Sequence, residues 1–489
     1  MIAVYLILLI PFSGSVILAL QNDPDRSRRY NKGFNALSLF CSIWLAVEVL
    51  LKGPLLFSGK QFYIDSFNVY LVVLTAFVGL TTALFSGAYM QHEWEAGKIT
   101  PRRLRFYYSA YQAFMFTMFL VLTTNNMGLL WVAMEGATLA TVLLVSLYRT
   151  PEAVEAAWKY FILCGVGIAQ ALFGTILLYF AAEQVEGIRP DEALLWTTLH
   201  ENAALLNPGV MSIAFVFLLI GYGTKMGLVP LHNWLPDAHS EGPTPMSAIL
   251  SGLLLNDALY AVVRSKMLVD QSLASHLPGY LMMGFGLLSF LVAALLLHHQ
   301  KDIKRLFSYS SIEHMGLMTF AFGIGTPWAV FAGLFHMTTH SLTKSAIFVT
   351  VGHASQLAGT QRIDKIRGLI NTQPAVGWGL LIGTLAIAGF PPFGVFASEF
   401  LVLIATMRDY PWLTPLLLIG IGIAFAGLFR HLQPMVFGPL PEGRQAIQAN
   451  MTPVVLHLLL VLWLGISLPF FLGNWFNQAT QLIAGSLPL

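Results

Sequence analysis

The chain has 489 residues, 56% of them hydrophobic and only 10% charged, with a mean hydropathy of +0.70. No water-facing surface of a globular domain this size tolerates that balance, so the solvent is lipid and a soluble enzyme fold is excluded. A formal net charge of +2 carries no signal of a nucleic-acid partner, and none is expected; the information lies in where the basic residues stand.

Apolar stretches fall near 1–20, 34–51, 67–90, 106–124, 127–147, 158–181, 210–229, 244–264, 279–299, 303–324, 328–352, 375–404, 412–437 and 452–472. At 1.5 Å per residue most can span roughly 30 Å of hydrocarbon, which predicts an all-α polytopic membrane protein of about fourteen transmembrane helices. The first stretch has no basic residue before its apolar run, whereas Arg26, Arg28, Arg29 and Lys32 follow it. A permanent helix with its N-terminus outside is therefore expected rather than a signal peptide. Seventeen Lys and Arg, including Lys304 and Arg444, then fall on the inner side, and six, including Arg264, on the outer. That asymmetry obeys the positive-inside rule and puts both termini outward. Lys225, Lys344 and Arg430 remain, inside or at the edge of apolar spans.

Acids join them within the spans: Glu135, Asp257, Glu313 and Glu399, with Glu48 a lone acid in predicted helix 2. Each charge at the centre of a membrane helix costs about 2.5–3.5 kcal/mol, so a set of them implies pairing, internal water or both. Two spans are also interrupted. Gly221, Gly223, Gly227 and Pro230 surround Lys225 in predicted helix 7, and Gly389, Pro391, Pro392 and Gly394 precede Glu399 in predicted helix 12. Such breaks free backbone groups that lipid cannot satisfy, and they commonly line ion sites. Each break falls in the fourth helix of a five-helix unit, helices 4–8 and 9–13, and an odd number per unit makes the two repeats inverted. The chain then divides into N-terminal helices 1–3 (1–105), a first repeat (106–264), a second repeat (279–437), and helix 14 with its tail (452–489).

Predicted helix 11 carries His336, His340 and Lys344, four apart and so on one helical face over about 12 Å, with Thr339 and Thr343 close by. Histidine can donate and accept near neutral pH, and threonine hydroxyls can hold bridging water, so this polar stripe can pass protons. Its spacing also suits a metal, but no acid or cysteine nearby in sequence completes a ligand set, and no metal is expected. His232, Asp237 and His239 in the loop "LHNWLPDAHSEGPTP" admit zinc, although a loop anchored by prolines explains them as well. Cys41 and Cys164 sit in apolar runs as core residues. There is no phosphate-cradling loop, dinucleotide fingerprint or cysteine pair, so the chain has no catalytic or redox site of its own, and its driving energy comes from elsewhere.

The segments "NNMGLLWVAMEGATLATVLLV", "GYGTKMGLVPLHNWLPDAHSEGPTPMSA", "KDIKRLFSYSSIEHMG", "FHMTTHSLTKSAIF" and "GFPPFGVFASEF" resemble the antiporter-like proton-translocating subunits of respiratory complex I, cation antiporters and membrane-bound hydrogenases. Within that superfamily, "KYFILCGVGIAQALFGTILLYFA" and "SGLLLNDALY" look most like component F of the hydrogenase-4, formate hydrogenlyase branch. The resemblance implies a proton path of Glu135, Lys225, His336, His340, Lys344 and Glu399, with Asp257, Glu313 and His314 as further relay candidates. It departs from the complex I pattern at Asn256, which stands where a central lysine or histidine is usual. The chain ends soon after predicted helix 14, without the long lateral helix of the most distal complex I subunit, so that distal role is not expected.

The expected function is a proton-conducting subunit of a redox-driven complex in a prokaryotic inner membrane. Its implied partners are other antiporter-like and membrane-anchor subunits and a peripheral hydrogenase arm, and a NiFe centre and iron–sulfur clusters are expected in those partners. The alternatives are a cation/proton antiporter subunit, a module coupling proton flow to inorganic-carbon uptake through a soluble zinc partner, and a vestigial anchor.

Overall fold

The structure, a computed structural model, describes residues 2–439 and 449–487; Arg444, counted above on the inner side, and the last two residues of the predicted tail lie outside the described residues. α1 (Ile2–Leu20) and α2 (Pro24–Lys52) each turn one apolar face outward, with Leu9, Phe12, Leu37 and Phe40 exposed, and a hairpin of β1 (Leu55–Phe57) and β2 (Phe62–Ile64) leads into α3 (Ser66–Glu95). Capping side chains fix where helices begin. Asp23 accepts from the backbone of Asp25 and Arg26 at the head of α2, and Asp65 and Asn68 form a capping box on α3. Glu48 is not the lone acid expected: its carboxylate meets Lys52, one turn on, at 2.9 Å.

α4 (Pro101–Thr123), α5 (Met127–Val145) and α6 (Pro151–Glu183) follow, and a loop holding the short α7 (Trp196–Glu201) leads to α8 (Pro208–Met226). α8 covers the predicted seventh span and ends at Met226, and α9 (Trp234–Glu241) lies in the segment the sequence reads as a loop. The next span is one internal helix, buried along its length, made of α10 (Thr244–Ile249), a π-helical turn at Leu250–Leu254, and α11 (Leu255–Ser272).

α12 (Leu277–Leu297) and α13 (Ile303–Ile324) come into backbone contact: a Cβ on Gly316 would lie 2.6 Å from the Gly286 carbonyl. Small residues allow this close approach where no hydrophobic force between helices exists. α14 (Pro327–Ala358) runs through the interior. α15 (Leu369–Thr372), α16 (Pro374–Ile387) and α17 (Gly394–Asp409) follow, the last two being the halves of the second broken span; α18 (Thr414–Phe437) comes next. α19 (Thr452–Ile466) and α20 (Phe470–Ala484) meet at a 78° bend.

Among the described residues nine helices are long and apolar enough to cross a membrane, or ten if that bent pair is one span. The predicted spans at 106–124, 303–324, 328–352 and 375–404 are helical too, as α4, α13, α14 and the pair α16 and α17, but fall outside that count. α13 and α14 explain why. Every residue of α13 except Arg305 is buried, and a helix wrapped in protein can carry Ser, His and Glu instead of a lipid-facing surface.

Two bases placed in loops by the sequence are in fact interior. Arg264 lies within α11 and Lys304 in the first turn of α13, both no more than 2% exposed. Lys304 donates to the carbonyls of Ser240 and Gly242, which end α9.

Candidate ion path

In the first half, α5 presents Glu135 and α8 presents Lys225, whose ammonium is fully buried 4.0 Å from the Glu135 carboxylate. Lys225 also donates to Thr138, one turn along α5 from Glu135, and stands 5.8 Å from the centre of the Tyr160 ring. The sequence break beside it is real: α8 stops at Gly227, whose φ of 75° an L side chain rarely adopts. The freed groups find partners inside the protein. Val229 N–H donates to Ser289, and the Trp234 indole donates to the Thr224 carbonyl at 2.8 Å. Gly223 lies inside the last turn of α8, and Pro230 follows the end of that helix.

The second half gathers on α13, α14 and α17. His314 Nδ1 and His336 Nε2 share a hydrogen bond of 3.0 Å, and His336 Nδ1 meets Ser398 Oγ at 2.8 Å. Ser398 donates its own proton to the Val395 carbonyl. In neutral rings this assigns the tautomers: His336 carries its proton on Nδ1 and accepts at Nε2 from His314. Around this pair stand Glu313, 3.4 Å from His314 Nε2, and Glu399, 3.7 Å from His314 Nδ1. His340 lies beside both rings, 5.5 Å between centres from His314, with neither nitrogen hydrogen-bonded. Lys344 donates to the Phe307 carbonyl at 3.0 Å and is in electrostatic contact with Glu313.

The break at Pro391 and Pro392 sets Glu399 in place. Gly389, with φ 67°, lies so close that a Cβ there would stand 2.1 Å from Glu399 Oε2. His314, His336 and Glu399 offer ligand atoms within 4.8 Å of one another, so the structure brings to the histidines an acid that sequence proximity did not. His232, Asp237 and His239 do not converge: Asp237 pairs with Arg305 and Lys159, His232 faces Tyr309, and His239 stacks on Phe348.

Between the two halves stand groups that do not titrate. Asn256 donates to Ser341 Oγ at 2.7 Å, Ser341 donates to the Gly252 carbonyl in the π-helical turn, and Ser251 and Ser311 bond to each other. Asp257, the next residue, is buried, and neither of its oxygens has a hydrogen-bond partner among the described residues. Sequence reasoning missed Thr138, Ser398 and this serine set, although Thr138 and Ser398 sit three residues and one residue from named glutamates. It also missed Asp65 and Arg264, a buried pair at 2.6 Å with the guanidinium 4.6 Å from the Trp196 ring.

A family model described as NADH:quinone oxidoreductase/Mrp antiporter, TM, matches residues 124–424. The chain is 48% identical to a hydrogenase-4 component F homolog of Methylacidiphilum infernorum, over 98% of this chain and 99% of that one. A chain of the membrane-bound sulfane sulfur reductase, an archaeal respiratory membrane complex, superposes with a TM-score of 0.89 at 24% identity, covering 98% of this chain and 97% of that one. A chain of the Mrp complex from Dietzia sp. DQ12-45-1b shares the fold at a TM-score of 0.87 and 17% identity, over 99% and 98% of the two. With a matched region spanning more than half its length and a relative 48% identical over nearly the whole of both chains, the chain belongs to the antiporter-like transmembrane subunit family of NADH:quinone oxidoreductases and Mrp antiporters.

Proposed function

We propose that this chain is the proton-conducting membrane subunit of a redox-driven, hydrogenase-4-like complex of the formate hydrogenlyase type. The observation that carries the reading is the unbroken hydrogen-bonded sequence His314, His336, Ser398, flanked by Glu313 and Glu399, deep inside a lipid-soluble protein. Its similarity over nearly full length to a hydrogenase-4 component F homolog supports the choice of complex.

In this reading a proton is loaded through Glu135 and Lys225, which face each other at 4.0 Å across α5 and α8. It crosses the serine-lined gap by way of hydroxyls and bridging water to Lys344 and Glu313. A proton given to His314 Nε2 releases the one on Nδ1 to His336 or to Glu399, so the ring passes charge without turning. His340 lies beside both rings as a further acceptor.

The NiFe centre and iron–sulfur clusters belong to a peripheral hydrogenase arm, and neighbouring membrane contacts are made by other antiporter-like and anchor subunits. The protein sits in the cytoplasmic membrane of a prokaryote as about fourteen spans, both termini outside, with inverted repeats at 106–264 and 279–437. The test is proton movement driven by the native assembly in vesicles. Lys225→Ala and Glu135→Ala are each expected to abolish it, and unchanged pumping in either would refute the path. Mass spectrometry of the mildly extracted assembly should find a nickel–iron large subunit. A cation/proton antiporter is the second reading, favoured by the Mrp part of the family description, and sodium-dependent exchange without any redox substrate would select it.

A further inference from the structure

The N-terminal end of α4 and the C-terminal end of α5 frame a pocket of about 380 Å³ that the proton path does not use. Arg102, Arg103 and Arg149 line it, together with the apolar side chains of Phe106 and Leu143. Three cations in one pocket repel one another, and none of them forms an ion pair among the described residues; Arg103 merely reaches the Tyr148 carbonyl at 3.5 Å. The N-terminus of α4, capped by Thr100 in the pocket wall, adds the positive end of a 23-residue helix.

The apolar side is equally specific. Leu143 is 53% exposed, Leu139 50% and Val132 53%. These positions lie on one face of α5, because steps of 4, 7 and 11 residues return to nearly the same side of a helix. The strip starts at the pocket and runs about 16 Å along the helix into the hydrocarbon region. A positive cup with room for a phosphodiester headgroup, at the end of an exposed aliphatic strip, matches one kind of molecule in shape and charge.

We propose that this pocket binds the phosphate headgroup of an anionic phospholipid, with an acyl chain along Leu143, Leu139 and Val132. Guanidinium forks bind phosphate oxygens in pairs, and basic pockets between membrane helices on the positive-inside face attract anionic headgroups. Neither the proton path nor the identity of the partner complex enters this inference.

The test uses the native assembly in mild detergent, titrated with dioleoyl phosphatidylglycerol, dioleoyl phosphatidylcholine or inorganic phosphate, with lipid retention read by native mass spectrometry. The anionic lipid is expected to be retained and the zwitterionic lipid lost. Each of Arg102→Gln, Arg103→Gln and Arg149→Gln should weaken retention by about fivefold, and the three together on the order of a hundredfold. Arg105→Gln, a basic residue outside the pocket that bonds to Asn22, should leave it unchanged. Equal retention of both lipids, an unchanged triple variant that still assembles, or an equal loss in Arg105→Gln would overturn the site. Displacement of the lipid by inorganic phosphate would make it a free-anion site instead, and that too would refute the proposal.

Discussion

Replacing Gly389 by alanine tests whether the placement of Glu399 matters to ion movement. The new Cβ would stand 2.1 Å from Glu399 Oε2, whereas ordinary contact begins at about 3.4 Å, so the carboxylate must retreat by about 1.3 Å. That retreat acts on a group only 3.7 Å from His314 Nδ1. Displacements near 1 Å at a reacting group cost about 10²-fold in rate. The alanine must also adopt φ near 67°, a left-handed conformation that costs an L residue roughly 1–2 kcal/mol. Proton pumping per assembled complex, followed with a pH-sensitive dye in inverted vesicles, is expected to fall tenfold to a hundredfold while the complex still assembles. Gly422→Ala, on α18 with nothing within 4 Å, is the matched control and should pump normally. Pumping at the wild-type rate in an assembled Gly389→Ala complex would remove Glu399 from the path as drawn.

Arg264→Ala strands the Asp65 carboxylate in the interior and should destabilise the protein by about 3–5 kcal/mol, read as a lower unfolding midpoint in detergent. The double variant Asp65→Asn with Arg264→Met should recover part of that loss, and equal midpoints for the single and double variants would deny the ion pair its role. Ser398→Ala removes the acceptor that fixes the His336 tautomer; roughly tenfold slower pumping at unchanged assembly is expected, and an unaffected rate would show the tautomer to be irrelevant. Gly316→Ala drives a Cβ to 2.6 Å from both the Gly286 carbonyl and the Phe290 amide, backbone atoms that cannot swing aside. A loss of about 1–3 kcal/mol is expected, and thermal unfolding at the wild-type midpoint would argue that α12 and α13 do not pack so closely.

The sequence made the helices legible because each lipid-facing span must be apolar, whereas the caps that start them, such as Asp23, Asp65 and Asn126, emerge only with the structure. Charged residues in those spans marked the candidate path because so few physical reasons retain them. What sequence could not supply was direction around each helix axis. Arg264 reads as a loop base because it closes an apolar run, yet α11 continues past it and Asp65, 199 residues earlier, neutralises it. His336 and His340 read as a natural pair from their spacing, but the direct bond to His336 comes from His314 on another helix. The π-helical turn at Leu250–Leu254 leaves no trace in composition, and the tertiary contacts of Ser251 and Gly252 show its consequence.

That turn bears on the weakest link of the proposed path. Asn256 and Asp257 are adjacent, and sequence logic favours the acid as the relay because asparagine cannot titrate. Geometry favours the reverse. Asn256 donates into the serine set that faces α14, while neither oxygen of Asp257 has a hydrogen-bond partner among the described residues. An amide and hydroxyls already joined in a hydrogen-bonded row can hold a bridging water that passes a proton, and that row runs through Asn256, Ser341 and Gly252 and not through Asp257. Asp257→Asn is therefore expected to pump at the wild-type rate. Asn256→Leu, close in volume but unable to hydrogen-bond, should slow pumping at least tenfold without disturbing the contact between Lys225 and Glu135. The opposite pattern in vesicles, with Asp257→Asn inactive and Asn256→Leu active, would move the central step to the acid and break the route through Ser341.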